Sequence, residues 1–305
     1  MFNLYLAGTD PGADEHIVDI GANRLFSQAN EKTRIEKFSA LNKNHTSKLL
    51  IDSGAFSVAH SGKQIDVDTY IKYINDNDDK ATLWVQLDDI PYPIVNTETV
   101  SRSSEKSWEN YLYMVDKIKS PEKLLALHHC GESYDCLRRM LNTPIDALDG
   151  HPCPYIGVAG RHGITSKQLM YYFDDVFKII KESNNPNVHV HAFGMTVFHL
   201  LEMFPFYSAD STSWLKQAIF GNIFTPYGKI GFSTNINSMN RPEHIIHLDD
   251  DTRNKVLQYV NDLGYTKEEL ESSIPKRLQA NVDFFHNWCK NYKCTPVDLG
   301  VRKLF

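Results

Sequence analysis

The stretch Phe206-Tyr207-Ser208-Ala209-Asp210-Ser211-Thr212 passes from apolar residues to an acid and then to small polar residues. That is how a buried strand delivers a carboxylate at its carboxyl end. Two earlier segments repeat the pattern: Leu49-Leu50-Ile51-Asp52-Ser53-Gly54 and Leu83-Trp84-Val85-Gln86-Leu87-Asp88-Asp89. In a parallel sheet the carboxyl ends of all strands lie on one side, so these three segments project their acids toward one mouth.

Outward from these segments, strand-like runs at 3–7, 48–52, 81–88, 124–129, 155–159, 188–192 and 206–212 alternate with helical patterns at 67–75, 104–118, 134–141, 166–181 and 196–203. Repeated β-then-α units predict a parallel sheet with helices outside. Seven such units exceed what most open sheets use before closing, so the expected fold is an α/β TIM (β/α)8 barrel. The last strand is not settled by the pattern, and 229–233 is its candidate. Beyond Arg241 the texture is helical only, with a helix over 249–263 and a capping-box start at Thr266-Lys267-Glu268-Glu269 for a helix running toward Trp288. The expected organisation is a catalytic barrel over 1–240 and a helical C-terminal extension over 241–305 packed on it.

A chain of 305 residues is long enough to bury one large core. With 32 basic against 38 acidic residues and a net charge of −6, it has no global attraction for nucleic acid or an anionic membrane, so a polyanion would be held by a local patch or with a helper protein. The five cysteines are an odd number spread over a long chain, which suits free thiols in a reducing compartment. No run approaches the roughly 20 apolar residues of a membrane span, and the start of the chain reads as no signal peptide. The expected location is the cytoplasm, or the host cytoplasm for a viral protein, with no membrane partner.

The acids admit two readings each. Asp52 precedes a sharp turn at Gly54, where a missing side chain lets a flat ligand approach the backbone, or else it caps that turn. Of Asp88 and Asp89, one is expected as a cap and the other as a reader of a donor-rich edge such as a purine's N–H groups, because a carboxylate only accepts hydrogen bonds. Asp210 is suited to nucleophilic attack at a sugar carbon, against the alternative of local backbone bonding. Two acids in different environments can divide nucleophile and proton-transfer duties. Phe56 and Met195 both follow strand ends and are candidates to sandwich a flat base. Tyr70, Tyr73, Tyr111, Tyr113, Tyr171 and Tyr172 recur at helical spacing and read as packing. His189 and His191 share one strand face and, like His199, have no accompanying acid, which favours lining the barrel over holding a metal. The late cluster His286, Cys289 and Cys294 has loose spacing for zinc and reads as buried thiols beside an aromatic helix face. Arg138-Arg139, Arg161-His162, Lys216 and Lys229 are candidate phosphate contacts.

Four segments taken in order, Asp52-Ser53-Gly54-Ala55-Phe56, Leu87-Asp88-Asp89-Ile90-Pro91-Tyr92-Pro93 with Ser101-Arg102-Ser103 and Glu105-Lys106-Ser107 behind it, Ile156-Gly157-Val158-Ala159-Gly160, and His191-Ala192-Phe193-Gly194-Met195-Thr196, resemble the landmark segments of tRNA-guanine transglycosylases. After Asp210, Gly221-Asn222-Ile223-Phe224-Thr225-Pro226-Tyr227-Gly228-Lys229 is similar to that family's glycine, Phe-Thr and glycine pattern. The resemblance covers roughly residues 3–235. It implies base exchange on a TIM barrel, in which guanine leaves a polynucleotide and a 7-deazaguanine takes its place. By position Asp210 matches the nucleophile, Asp52 the acid/base, Asp88 the reader of the base's N–H edge, and the backbone of Gly157, Val158, Ala159 and Gly160 the strand end that contacts the base. His129 falls where the family carries a glutamine that contacts the base.

The departures bear on substrate. No cysteine lies between Cys153 and Cys289, where the tRNA enzymes build a zinc site, so neither a metal nor any other cofactor is expected. Lys216 takes the place of one phosphate-binding arginine and Ile219 of a second. These differences fit the shorter transglycosylases that resemble the tRNA enzymes but place 7-deazaguanines such as 7-cyano-7-deazaguanine into DNA. The expected function is therefore DNA guanine transglycosylation. The same chemistry on tRNA, a hydrolase that leaves abasic sites, and an idle barrel that binds nucleic acid or a protein remain as alternatives.

Overall fold

A computed structural model of the chain describes residues 2–296 except Thr9, Pro93 and His162. Eight parallel strands close into a barrel in sequence order: β1 (Asn3–Ala7), β2 (Asn23–Ser27), β3 (Leu49–Asp52), β4 (Leu83–Val85), β5 (Leu124–His129), β6 (Tyr155–Ala159), β7 (His189–Phe193) and β8 (Ser208–Ser211). Closure is made by β1 against β8, with Tyr5 opposite Asp210. The strands are short, and most are largely apolar because both of their faces are covered, one by the barrel interior and one by helices. The interior is filled by Tyr5, Leu25, Leu50, Leu83, Leu125 and Tyr155 among others. The larger outer layer, including Phe26, Ile51, Trp84, Ile156 and Val190, packs against the helices.

The TIM barrel expected from the alternation is present, but the eighth strand is not 229–233. That run falls in β10 (Gly228–Gly231), which pairs antiparallel with β9 (Asn222–Thr225) in a separate two-stranded sheet. The barrel position belongs to β2, whose sequence Asn23-Arg24-Leu25-Phe26-Ser27 is broken by an arginine. Arg24 is fully buried between barrel and helices, where it donates to the Leu6 carbonyl at 2.7 Å, pairs with Asp14 at 3.1 Å and lies over the rings of Phe26 and Trp214. A charge that tertiary partners neutralise therefore hides the apolar period of this strand from local reading.

After the hairpin the chain forms helices Asp250–Asp262, Lys267–Ser272 and Ile274–Asn291. The expected capping box is present, with Thr266 and Glu269 bonding each other's backbone. Helix Ile274–Asn291 lies against β1, β9 and helix Ser213–Ile219, so the C-terminal segment covers the seam where β8 meets β1. Asn281 and Arg277 stitch it there through the carbonyls of Trp214 and Ala218, at 2.8 and 2.9 Å. Among the described residues no helix is long and apolar enough to cross a membrane.

Candidate active site

The carboxyl ends of β3, β4, β5, β7 and β8 bring their polar residues to one mouth. Asp52 ends β3, and its carboxylate accepts from the Gly54 N–H at 3.2 Å. Gly54 turns at φ +84°, and a Cβ there would meet Ser27 Oγ at 2.5 Å, so only glycine closes this turn. Burial pushes the Asp52 carboxyl up to about 7; the Gly54 N–H opposes this, while the negative charges of Asp88 and Asp210 add to it. That mutual influence joins the three acids, far apart in sequence, into one electrostatic cluster.

Asp210 faces inward on β8 and is nearly buried. Its Oδ1 accepts the Gly194 N–H at 2.8 Å and meets His191 Nε2 at 3.2 Å, while no described residue bonds Oδ2. Gly194, at φ +62°, aims that N–H across from the end of β7. Asp88 is held on both oxygens, by Gln86 Nε2 at 2.6 Å and by His129 Nε2 at 2.6 Å. Its neighbour Asp89 is the structural member of the pair: it accepts from Ser103 Oγ at 2.6 Å, and its N–H donates to Ser107 Oγ at 2.9 Å. The loop after β4 is thereby tied to helix Thr97–Val115.

His129, the last residue of β5, is the positive counterweight to these acids. Burial alone would lower its pKa, but the charge and hydrogen bond of Asp88, helped by Glu132, push it up to about 9. Glu132 accepts the His129 N–H at 3.1 Å. Burial pushes the Glu132 carboxyl up to about 7, with His129 pulling down and Asp88 pushing further up. At neutral pH, then, an imidazolium sits against Asp88 between two carboxyls poised near neutrality.

The remaining expected positions fall in different surroundings. Phe56 is 64% exposed on helix Ala55–His60, its ring 4.3 Å from that of His60, which lies 4.5 Å from that of Tyr92. Met195 is buried in the layer between barrel and helices. Gly157 faces the interior, where a Cβ would meet the Phe193 ring at 2.4 Å; its lack of a side chain lets Phe193 cross the barrel. Ala159 is also interior, Val158 packs outward, and Gly160 is exposed. Arg161 is exposed beyond β6 and near Cys130, whose thiol burial raises and Arg161 lowers. Lys216 is exposed on helix Ser213–Ile219, and Lys229 pairs with Glu243 at 3.4 Å. Arg138 and Arg139 are engaged by Asp135 and Glu105. His162 and Pro93 lie outside the described residues.

His286 and Cys289 line a cavity of about 320 Å³ at the opposite, amino end of the barrel, together with Asn3, Asn23 and Lys48. Burial raises the Cys289 thiol to about 12 and also raises the Cys294 thiol. Among the described residues no group of three or more His, Cys, Asp or Glu is arranged to hold a metal ion.

Sequence reasoning did not single out Gln86 or Glu132. Gln86 carried a signal, since a fully buried amide two residues before Asp88 interrupts an apolar run on the same strand face. Glu132 carried none, because only the turn at Gly131 brings it back onto its own strand end. The arrangement supplies a carboxylate with one oxygen unengaged, a second carboxyl that can gain or lose a proton near pH 7, and an acid–imidazolium pair that can accept from and donate to a ligand. Comparison with protein-family models and with curated proteins returns no match to this chain.

Proposed function

We propose that this protein exchanges guanine in DNA for a 7-deazaguanine through a covalent aspartyl-glycosyl intermediate. The reading rests on one observation above all: Asp52 feels both Asp88 and Asp210 at a single mouth, and its carboxyl is held near neutrality while Asp210 keeps an oxygen unengaged. In the first step Asp210 Oδ2 bonds to C1′ of the target nucleotide and the C1′–N9 bond breaks. Guanine departs with that electron pair and takes the proton of Asp52. In the second step the incoming base gives its N9 proton to Asp52, N9 bonds to C1′, and the ester to Asp210 breaks to regenerate the carboxylate. Protons and charge balance over the cycle.

A guanine-like edge offers N–H donors beside a carbonyl oxygen. Asp88 accepts from such donors, and the second N–H of the His129 imidazolium donates to such a carbonyl. The target base has to leave its stack to reach a barrel mouth, and the exposed rings of Phe56, His60 and Tyr92 beside the β3 and β4 ends suit stacking on neighbouring bases. DNA is favoured over tRNA by the lack of cysteines between Cys153 and Cys289 and by Lys216 and Ile219 at the positions of two arginines.

The test is incubation with labelled guanine and either DNA or tRNA, with and without Asp210→Ala. Label should enter DNA, a covalent protein–DNA adduct should be trappable, and both should vanish in the variant. Full exchange by Asp210→Ala, or label entering tRNA alone, overturns the proposal.

A further inference from the structure

The barrel core holds a polar string that the exchange reaction does not by itself explain. His191 on β7 is fully buried, with Nε2 at 3.2 Å from Asp210 Oδ1 and Nδ1 at 2.6 Å from Ser208 Oγ. Ser208 Oγ in turn lies 2.5 Å from the Tyr155 hydroxyl, on β6. Ser208 is also fully buried, and Tyr155 nearly so, in an interior filled mostly with Leu, Val, Ala and aromatic side chains. Buried polar groups in such a place require complete pairing.

Counting donors leaves one arrangement that satisfies every member. Ionised Asp210 has none to give, so His191 donates from Nε2. A ring with a single proton then presents a lone pair at Nδ1, which accepts the Ser208 hydroxyl proton. Ser208 oxygen accepts from the Tyr155 hydroxyl. A second proton on the ring would instead turn Ser208 around and leave two hydroxyl hydrogens competing between Ser208 and Tyr155. The string thus has a direction, with every donor pointing toward Asp210.

We propose that Tyr155, Ser208 and His191 form a buried hydrogen-bond relay that positions Asp210 and polarises it as nucleophile and leaving group. His191 is a positioning residue, since it touches Asp210 and not the substrate. The relay and the Gly194 N–H both act on Oδ1, which keeps the rotation of the carboxylate fixed and presents Oδ2 to C1′. When the ester to C1′ breaks in the second step, the same donors stabilise the returning carboxylate charge. Around it, Asp52 on β3 interacts electrostatically with both Asp210 and Asp88, Tyr5 on β1 is its register partner with a ring 5.9 Å from that of His191, and Tyr155 and Tyr207 influence Tyr5 in turn. This inference rests on the reading of Asp210 as the nucleophile.

The test uses Tyr155→Phe and Ser208→Ala, which remove one oxygen each, and His191→Leu alongside His191→Gln, which restores a donor. Loss of the direct donor in His191→Leu should lower kcat about 100-fold. Tyr155→Phe and Ser208→Ala should each lower it about tenfold with KM for guanine unchanged, and should move the acid limb of the pH–rate profile to higher pH. His191→Gln should recover part of the loss. Trapped adduct should accumulate in the relay variants, because the second step slows more than the first. Folded Tyr155→Phe and Ser208→Ala proteins with wild-type kcat and acid limb overturn the relay. Nitrogen-15 NMR of His191 in the unaltered protein provides a readout without activity: at pH 7 the expected ring carries its proton on Nε2 alone, and a proton on Nδ1 overturns the proposal. A protein that shows this tautomer but exchanges no base would sink the functional reading and leave the relay standing.

Discussion

Two carboxylate–histidine pairs share the barrel mouth, Asp88 with His129 and Asp210 with His191, at 2.6 and 3.2 Å. They are built from the same residue types and do different work. His129 is one-third exposed and surrounded by acceptors, Asp88 on its ring and Glu132 at its backbone, so it takes up a second proton and becomes a cation. His191 is wholly enclosed, with the Ser208 hydroxyl 2.6 Å from its far nitrogen. What decides the job of each pair is the third partner. An acid there raises the charge of the pair, whereas a hydroxyl extends it into a buried polar string; in the proposed reaction the first would read the base and the second would hold the nucleophile.

The largest way to break this contrast is Asp88→Ala. It strips the acid from His129 and leaves the Gln86 amide without its acceptor, both inside the mouth. Guanine affinity should fall at least tenfold by equilibrium dialysis, and chemical unfolding should show a loss of about 2 kcal/mol, as expected when a charged hydrogen bond is removed. Unchanged guanine binding would reassign Asp88 to a purely structural task.

A smaller effect, with an unusual sign, is expected at Asp52. Its folded pKa of about 7 lies above the unfolded 3.8, so the native state holds a proton that the unfolded chain has released. Stability therefore falls as pH rises from about 4 to 7, and the full cost applies above that range. Asp52→Asn should abolish exchange yet be more stable than the parent at pH 8, by about 1 kcal/mol once screening through the open mouth is allowed for. The difference should shrink to nothing near pH 4. Equal urea midpoints at pH 8 would remove the burial argument.

The smallest effect sharpens the comparison from the other side. The folded pKa of His129, about 9, exceeds the ordinary 6.5, so its contribution to stability is complete below about 6.5 and disappears as pH climbs through 9. In His129→Gln the decline in unfolding midpoint between pH 7 and 9 should flatten. A decline as steep as the parent's would mean that another group titrates there.

Much of this molecule can be read locally. The three apolar-to-acidic runs place Asp52, Asp88 and Asp210 at strand ends, because short strands buried on both faces are continuous apolar stretches and acids stop them. The capping box at Thr266 is legible because its partners are three residues apart. Strand β2 was hidden because Arg24 is neutralised by Asp14, the Leu6 carbonyl and the Trp214 ring from other elements, beside the Phe26 ring of its own strand. The weak strand pattern at 229–233 misled for the converse reason: a hairpin has strand texture whether or not it joins the barrel. Met195 and Phe56 both follow strand ends, yet one is buried under helices and the other is exposed, a difference set by which way each loop leaves its strand.

By itself, the sequence determined the repeating units, the parallel order they impose, and the side of the barrel on which the acids emerge. These follow from periodicity and from the common direction of parallel strands. Only the tertiary structure decided which histidine meets which acid and which third partner each ring has. Those pairings depend on partners 17 to 53 residues away, such as Ser208 for His191 and for Tyr155, and on the exclusion of water around them. No local pattern encodes those distances, because they arise when β6, β7 and β8 line up side by side in the barrel.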